Sequence, residues 1–560
     1  MKLNKLSKVV ISVSLLGWLL IAVLALNSAN AEAANNNDRT NIYKKIQLFS
    51  EVLNTVRENY VEDLEISDLI DAAIAGLLKE TDPHTNYFTP DEFDQFTSST
   101  QGEFGGLGIS IDKKGDYITV VAPIEGTPAY RMGILAGDKI VKVDGENVIG
   151  VDTDASIKLM RGEPGTKVVI TILRPGVEGE LDFEITRDII TIKSIPYAFK
   201  MDNGLGYIRI RQFNAHTTTE LTESLDNLEK EGIRGLLVDL RYNPGGLLTE
   251  AINTVNEFIG KDKLVVSTKG RIPSANQEYY TRFNKMRSGY PVVVLINGGS
   301  ASAAEIFAGS LQDWDRALVV GETSFGKGSV QRLFPLSDGN GLKVTTAKYY
   351  IESGRCIHKD LNDKLLRDDR VLAGEVPQEE IEKMQEEATE KSHEQVYHTS
   401  KGREVYGGGG ITPDIEYKQS LLTKLGVELR RKSSIFNFSV DYMLKHEADV
   451  TENFEATDKI IDDFLDFARN GGIEFEQTEV DSSYSWIKNE IESNLIGRKF
   501  GDLASYKRAI RQDTQLQASL KLFDDYATLD QMFNYAAQLK KEQVAAAELK
   551  KEDVAKTVKE

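Results

Sequence analysis

Apolar runs that alternate with helical patterns across residues 205–350 constrain the fold of this chain most. Sequence typical of strands recurs there as "LGYIRIRQF", "GLLVDLR", "VVVLIN", "ALVVGE" and "LKVTTAKYYI", and helical periodicity separates the runs at 217–231, 247–260 and 302–312. Short continuous apolar runs that lead into helices are typical of strands covered on both faces. We therefore predict a mixed α/β core, set within residues 191–420.

Other kinds of sequence flank this core, and the 560 residues are too many for one hydrophobic core. Residues 40–100 carry helical apolar stripes, and residues 101–190 are rich in short strands separated by Gly, Pro and Asp. Residues 359–405 are charged and predict a helical insertion at the surface. Residues 421–560 predict a helical C-terminal extension. The fold class is thus α+β and α/β with several domains.

The first 31 residues have the features of an export signal. Lys2, Lys5 and Lys8 precede an apolar run over residues 9–26, and Ala29 and Ala31 form an A-x-A cleavage signal. The run is also near the lower limit for a membrane span, so an uncleaved anchor is the alternative. Either way, we expect the protein in a bacterial cell envelope, periplasmic, secreted or anchored, with membrane contact only through this segment.

Charge and cysteine content exclude some classes of function. The formal net charge of −20 argues against nucleic acid as a partner, because phosphate binding requires clustered Lys and Arg. The single cysteine, Cys356, excludes an internal disulfide and a cysteine-based zinc cluster.

Three glycine-bearing loops of the core are the candidates for chemistry. They read "DLRYNPGGLL" (239–248), "NGGSASAAEI" (297–306) and "TSFGKGSVQ" (323–331). The second loop places Ser300 and Ser302 at a helix start, and the third aims Lys327 from between two glycines. A desolvated lysine loses its proton more readily and could activate a serine. Taken singly, each loop has an ordinary alternative: a strand-to-helix turn, a helix cap or a surface lysine.

Other catalytic patterns are absent from the sequence. None of the six histidines stands in a glycine-shaped loop after a strand, and G-x-S-x-G, H-E-x-x-H and the complete Walker motif G-x-x-x-x-G-K-[ST] do not occur. We therefore expect no metal ion and no cofactor. The residues alone do not choose between Ser300 and Ser302.

The motifs together resemble those of a known family. "DLRYNPGG", "INGGSASAAEI" and "TSFGKGSVQ", with "DPHTNYFTP" before them and "GGGGITPDI" after them, are similar in sequence and order to motifs of the carboxyl-terminal processing peptidases. These enzymes are also called tail-specific proteases (peptidase family S41). The resemblance covers roughly residues 40–420 and implies a crotonase-like mixed α/β core with an inserted PDZ domain.

The resemblance also implies roles for residues of the catalytic loops. Ser302 falls on the family's nucleophile, and Lys327, 25 residues later, falls on its general base. Gln331 falls on a glutamine that positions the lysine. The resemblance thus implies a Ser–Lys dyad.

Supporting roles follow from the same alignment of motifs. The backbone N–H groups of Gly245 and Ala303 would hold the oxyanion. Asp313 falls on an aspartate with an auxiliary role in some members, although it could instead brace a helix end or pair with Arg316.

Residues 101–190 resemble the PDZ domain of the family. In "FGGLGISI" the N–H groups of Leu107, Gly108 and Ile109 would receive the terminal carboxylate of a peptide, which adds to the sheet edge as a strand. Ile109 stands where such loops commonly carry phenylalanine, and it predicts a preference for apolar C-termini.

The resulting hypothesis is an exported serine endopeptidase that selects protein substrates through their C-terminal tails. Its expected partners are proteins or peptides with apolar C-termini. Whether it also binds an adaptor protein or forms a homo-oligomer is left open by the sequence. One alternative is a catalytically inactive PDZ scaffold for peptide binding in the envelope. Another is an acyl-transfer enzyme of crotonase-like fold, which would require a coenzyme A site that the sequence does not reveal.

Overall fold

The computed structural model describes residues 41–557 apart from residue 285 and residues 366, 367, 374, 378, 382, 385, 386, 388–390 and 392–394. The predicted signal or anchor, residues 1–31, therefore lies outside the described residues. The chain divides into two compact units, Met1–Asp82 and Pro83–Glu560.

The described part of the first unit is helical, as its apolar stripes predict. It consists of α1 (residues 41–59) and α2 (Ile66–Lys79). The stripe of α1 that contains Ile46, Phe49, Val52 and Val56 is solvent-exposed. Across the described ranges of residues 41–557, no helix has both the length and the apolar character needed to span a membrane.

The second unit begins with β1 (Asn86–Phe88) and α3 (Pro90–Gln101), and a small β-sheet module follows. An antiparallel ribbon of β2 (Glu103–Gly106) and β9 (Asp188–Thr191) leads into and out of this module. The sheet order is β3-β4-β5-β7-β8, with β6 on β5, so that β3 is an edge strand. The module consists of β3 (Ile109–Lys114), β4 (Tyr117–Pro123), α4 (Pro128–Arg131), β5 (Lys139–Val143), β6 (Glu146–Asn147), α5 (Thr153–Met160), β7 (Lys167–Leu173) and β8 (Glu180–Thr186).

A six-stranded sheet forms the α/β core, in the order β10-β11-β12-β15-β16-β21. All its neighbouring strands pair in parallel except β10 and β11. The strands are β10 (Tyr197–Lys200), β11 (Gly206–Arg209), β12 (Leu236–Asp239), β15 (Val292–Ile296), β16 (Leu318–Gly321) and β21 (Ile415–Glu416). Its connecting helices are α6 (Thr217–Lys230), α7 (Leu248–Val255) and α8 (Ala303–Asp313).

Both faces of the core sheet are buried, which explains the unbroken apolar runs of its strands. Leu236, Val238 and Val294 pack with helices α6 to α8 on one face. Leu237 and Val293, which alternate with these residues along their strands, pack on the other face with C-terminal helices. Alternate residues of a strand point to opposite faces, so a strand covered on both sides is apolar at consecutive positions.

A second, antiparallel sheet lies beside the core in the order β1-β18-β13-β14, with β17 also on β18. It contains β13 (Leu264–Lys269), β14 (Gln277–Tyr280), β17 (Ser329–Pro335) and β18 (Gly341–Ile351). The predicted strand "LKVTTAKYYI" is thus β18 and does not join the parallel sheet. Its polar face is solvent-accessible and its alternate residues Ala347, Tyr349 and Ile351 are buried.

The predicted helical insertion, residues 359–405, is helical only in its first part. Its described residues include α9 (Asp360–Leu365) and α10 (Asp369–Leu372), and then β19 (Val396–His398) and β20 (Glu404–Tyr406) form a hairpin. The hairpin is anchored in the core, since Arg403 and Thr399 both bind the buried carboxylate of Asp315. The structure of the hairpin therefore depends on contacts with residues that are distant in the sequence.

The C-terminal region is helical, as its periodicity predicts. It consists of α11 (Lys424–Arg431), α12 (Ser434–His446), α13 (Asp458–Asn470), α14 (Gln477–Phe500), α15 (Asp502–Ala509), α16 (Thr514–Asp525) and α17 (Leu529–Thr557). Helices α11 to α14 enclose a hydrophobic core of their own. Helices α16 and α17 instead cover one face of the core sheet, where Leu516, Phe523 and Met532 are buried.

One face of α12 packs against the β-sheet module. Phe436, Val440 and Leu444 follow one another at four-residue spacing and therefore share a helix face. The Lys114 ammonium lies 2.9 Å from the centroid of the Phe436 ring. Val440 and Leu444 lie against Gly137 and Gly176, at which an added Cβ would come within 3.4 Å and 3.6 Å of them.

Candidate active site

The three glycine-bearing loops meet at one edge of the core sheet. They leave the carboxyl ends of β12, β15 and β16, which are adjacent parallel strands. Such an edge is where α/β sheets bind ligands. Hydrogen bonds join the loops directly: the Ala301 N–H donates to the Asn243 carbonyl at 2.8 Å, and the Phe325 N–H donates to the Ser300 carbonyl at 3.0 Å.

The two serines of "GSAS" have different environments. The Ser300 hydroxyl is fully buried, donates to the Leu240 carbonyl at 2.8 Å and accepts the Asn297 N–H at 3.0 Å. Ser302 is half-buried at the start of α8, with φ of 54° and ψ of −114°. This conformation is strained for a residue with a side chain, and strain of this kind is concentrated at functional sites. Ser300 therefore holds the loop, and Ser302 is the more accessible candidate.

Gly245 lies directly against Ser302. A Cβ at Gly245, whose φ is 96°, would come within 2.7 Å of the Ser302 Cβ and 2.9 Å of the Ala303 nitrogen. Only glycine fits there, because real Cβ atoms do not approach other atoms so closely. Its N–H donates to Oδ1 of Asn243 at 2.8 Å. The Ala303 N–H, in contrast, has no hydrogen-bond partner among the described residues.

The carboxylate of Glu305 binds both candidate catalytic loops. Its Oε2 accepts the N–H of Ser302 at 2.8 Å and the N–H of Lys327 at 2.9 Å. Its Oε1 accepts the Ser324 hydroxyl at 2.5 Å and the Gly326 N–H at 2.7 Å. The side chain is fully buried, and burial raises the pKa of the Glu305 carboxyl, opposed by these hydrogen bonds, which favour the ionised form.

Tyr349 of β18 contacts the backbone of the same two loops. Its hydroxyl donates to the Lys327 carbonyl at 2.6 Å and lies 3.2 Å from the Ser302 carbonyl oxygen. Burial raises the pKa of this phenol well above its ordinary value, so it stays a neutral donor. Glu305 and Tyr349 thus hold the backbones of Ser302 and Lys327 at two points.

Close packing explains the glycines on either side of Lys327. A Cβ at Gly326 would come within 2.7 Å of the Lys359 Cβ, and one at Gly328 within 2.7 Å of the His358 nitrogen. The Lys327 side chain is half-buried. His358 therefore lies beside this loop in space, although the sequence places it outside the glycine loops.

Two other predicted site residues have partners of their own. The Gln331 amide donates to the Ser329 hydroxyl at 2.9 Å and lies 3.4 Å from the Thr345 hydroxyl, so its role toward Lys327 stays a prediction. Asp313 ends α8, about 16 Å from its start by helix rise. It is fully buried and binds Arg355 at 2.8 Å. The alternative pairing of Asp313 with Arg316 is therefore wrong, because Arg316 donates to backbone carbonyls instead, and the auxiliary role of Asp313 stays a prediction.

Cys356 has no features of a reactive thiol. It is partly buried, and desolvation raises the pKa of its thiol. Reactive cysteines require the opposite shift.

A second candidate site is the edge of the β-sheet module. Leu107 is buried, and Gly108, with φ of 76°, begins a turn that leads into Ile109 at the start of edge strand β3. The carbonyl of Gly108 accepts the Ile124 N–H at 2.8 Å and the Thr127 hydroxyl at 3.1 Å, which fixes the turn. Within the described chain, the N–H groups of Leu107 and Gly108 donate to no partner.

Glu305 and Tyr349 are functional candidates that sequence reasoning missed. Glu305 had a local signal: Ser302 and Glu305 form the S-x-x-E pattern of a capping box, and the carboxylate interrupts an apolar helix. Tyr349 had no such signal, since it lies 47 residues from Ser302 on a strand of the second sheet.

Comparisons with known proteins identify the domains in which these candidate sites lie. Residues 204–364 match peptidase family S41, residues 119–174 match the PDZ domain, and residues 427–501 match a family of unknown function. The Carboxy-terminal-processing protease of Bartonella bacilliformis is 40% identical over 331 residues, which are 58% of this chain and 76% of that protein. The Carboxy-terminal processing protease CtpA of Bacillus subtilis is 36% identical over 316 residues, 56% of this chain and 67% of that protein.

A solved structure titled for a photosystem II D1 C-terminal processing protease is 29% identical, covers 56% of this chain and 90% of its own, and has a TM-score of 0.32. The domains matched in this chain are those of a multidomain serine protease with a PDZ domain. The chain belongs to peptidase family S41, among the carboxy-terminal processing proteases. The resemblance and the fold class predicted from the sequence are confirmed.

Proposed function

We propose that the protein is a serine endopeptidase in which Ser302 is the nucleophile and Lys327 is the general base. One observation carries the proposal: a single oxygen of Glu305 binds the backbone N–H groups of both residues. A nucleophile and its base must keep a fixed separation while a proton passes between them. A buried carboxylate that binds both backbones provides that fixed separation.

The reaction then proceeds in two balanced halves. The neutral amine of Lys327 takes the proton of Ser302 Oγ as this oxygen bonds to the carbonyl carbon of the substrate. The C–N bond breaks, and the Lys327 ammonium gives its proton to the leaving amine. Water next attacks the acyl ester and passes a proton to Lys327, which returns it to Oγ as the acid product leaves.

Backbone N–H groups stabilise the oxyanion in this proposal. The Ala303 N–H is a suitable donor, because it is at a helix start and has no described partner. Gly245 can act as the second donor once its bond to the Asn243 side chain opens. Gln331 is kept as the residue that orients Lys327.

Substrate selection is assigned to the edge of the PDZ domain. A peptide would pair with β3, and its terminal carboxylate would accept the N–H groups of Leu107, Gly108 and Ile109. Ile109 and the buried Leu107 favour an apolar last side chain. Replacing the terminal carboxylate of a substrate by an amide should raise KM about tenfold or more, since hydrogen bonds to a charged group are strong.

Paired substitutions test the dyad. Ser302→Ala and Lys327→Ala should each lower kcat by roughly 10⁴-fold or more on an unstructured protein with an apolar C-terminus. Ser300→Ala, two residues away, should lower stability and retain cleavage, and Lys348→Ala should retain both, because Lys348 pairs with Asp360 at the surface. Wild-type kcat in Ser302→Ala or in Lys327→Ala would reject the dyad, whereas an absence of cleavage by the wild-type protein would favour the inactive scaffold.

Export is a separate proposal that rests on residues 1–31. N-terminal sequencing of the mature protein should find a start directly after Ala31 if the segment is a cleaved signal. A start at Met1 in membrane-bound protein would indicate an anchor. A start at Met1 in unbound protein would contradict both.

A further inference from the structure

The DLR motif, Asp239–Arg241, lies at the end of β12 within a buried network of charges. The Asp239 carboxylate is fully buried and binds the Arg241 guanidinium at 2.7 Å and the Arg209 guanidinium at 3.0 Å. It also accepts the Tyr207 hydroxyl at 2.8 Å. Arg209 donates in addition to the Arg241 carbonyl at 3.0 Å.

The C-terminal region supplies the remaining partners of Arg241. Asp513, at the start of α16, accepts from both terminal nitrogens of the guanidinium at 2.6 and 3.0 Å. Gln515 accepts from one of them at 3.0 Å and donates to the Tyr417 carbonyl at 2.6 Å. A paired contact of this kind fixes the orientation of the planar guanidinium as well as its position.

The charges of this cluster balance only when Asp513 is counted. Asp239 and Asp513 provide two negative charges against the two positive charges of Arg209 and Arg241. Burial would raise the pKa of Asp239, but the guanidiniums prevail and the pKa lies below its ordinary value. Asp513 is about one-quarter exposed and Arg241 is nearly buried, so removing the Asp513 charge leaves an uncompensated cation inside the protein.

Arg241 is joined to the site through a short loop. Tyr242 follows it with a positive φ of 59° and donates its N–H to the Asn297 side chain at 2.9 Å. Asn243 holds Ala301, and Gly245 contacts Ser302. The loop therefore passes from the Asp513 contact to the serine within four residues of Arg241.

We infer that Asp513 is a positioning residue for proteolysis. Through Arg241, it holds the loop that carries Gly245 against Ser302, so that a side chain of the C-terminal region contributes to the geometry of the catalytic site. This inference rests on the proposed role of Ser302. It gives the C-terminal region a part in catalysis beyond covering the sheet.

The test compares the substitution Asp513→Asn with Asp524→Asn. Asparagine can still accept the Leu516 N–H that Asp513 now caps at 3.0 Å, so the start of the helix is preserved while the charge is lost. Asp524 lies on the same helix and pairs with Arg234 at the surface, which makes it the matched control. The readouts are kcat per folded molecule and KM on a short peptide, with the folded fraction taken from thermal unfolding curves.

We expect kcat per folded molecule to fall about tenfold or more in Asp513→Asn, because small displacements of catalytic groups have effects of this size. KM should stay within about twofold, Asp513→Glu should recover part of kcat, and Asp524→Asn should equal wild type. An unchanged kcat with a lowered melting temperature would show a merely structural role and overturn the inference. So would a change confined to KM.

Two further controls keep the outcome decisive. If Asp513→Asn does not fold, Asp513→Ser retains a capping hydroxyl without the charge, and failure of both to fold would also overturn the inference. Ser302→Ala is assayed beside them. Activity in Ser302→Ala rejects the proposed function itself, whereas an inactive Ser302→Ala with wild-type kcat in Asp513→Asn rejects the inference alone.

Discussion

Replacing Glu305 by glutamine hardly changes the shape of the side chain but should separate the two loops that carry Ser302 and Lys327. All four acceptor positions of the carboxylate are occupied, two by donors of the Ser324–Gly326 segment and two by the N–H groups of Ser302 and Lys327. Glutamine has one acceptor oxygen and one amide that only donates. In either orientation the amide faces two donors.

The expected cost follows from the number of donors left without an acceptor. Each buried unsatisfied donor costs about 1–3 kcal/mol, so two of them cost roughly 2–6 kcal/mol. A loss of that size is a large fraction of the ~5–15 kcal/mol that stabilises a typical domain. The activity of the folded fraction should fall as well, by about tenfold or more, since the two loops are no longer held by one group.

Urea unfolding and steady-state cleavage measure the two effects separately. Glu322→Gln is the matched control, because Glu322 directly precedes the loop that carries Lys327 and its oxygen accepts the Gln419 N–H at 2.7 Å, which the glutamine oxygen can still do. The control should change stability by less than about 1 kcal/mol. A Glu305→Gln protein with wild-type kcat and unfolding free energy would refute the role assigned to this carboxylate.

Three further predictions concern the pH dependence of kcat, the contact of Gly245 with Ser302, and the contact of the PDZ domain with α12. Because burial raises the pKa of the Glu305 carboxyl, this group should take up a proton at a pH above the ordinary pKa range of glutamate, and kcat should fall as it does so. The folded state favours the protonated form, so this group's contribution to stability should rise as the pH falls. A loss of activity that coincides with unfolding would contradict this prediction. Gly245→Ala should abolish cleavage in a protein that still folds, since its Cβ would come within 2.7 Å of the Ser302 Cβ, whereas Gly260→Ala, with open space around it, should be fully active; activity in Gly245→Ala would rule out the close contact. Val440→Asp should release the PDZ domain from the C-terminal helices, measured as faster hydrogen exchange at the contact, and unchanged exchange would show that this contact does not hold the domain.

The sequence could predict where the site lies but only part of what holds it. Alternation of strands and helices predicts parallel strands, and loops that leave their carboxyl ends must meet at one edge. The choice of Ser302 over Ser300 came from resemblance, and the structure adds a physical reason, because the Ser300 hydroxyl is already occupied. The partners Tyr349 and Asp513 could not be predicted, since nothing in their local sequence indicates which distant loop they contact.

The errors have a similar cause. The hairpin within residues 396–406 lies in a charged segment that looks helical, and its Arg403 binds Asp315 and lies over the Phe533 ring of α17. Asp313 pairs with Arg355, 42 residues away, and not with the neighbouring Arg316. Local periodicity describes short-range preference, whereas buried ion pairs depend on contacts that only the complete fold creates.

The C-terminal helices α16 and α17 are therefore part of the core of the protein, although their sequence suggests a separate extension. They appear as an extension beyond residue 420, yet Tyr207, Leu237 and Val293 of the core sheet share one buried cluster with residues of α16 and α17. A sheet of mostly parallel strands needs both faces covered, and its central strands β12, β15 and β16 are almost entirely apolar here. Truncation at residue 420 would expose one whole face of the sheet and remove Asp513 from Arg241. We therefore expect the core sheet not to fold without these helices, and we expect a minimal active fragment to include α16.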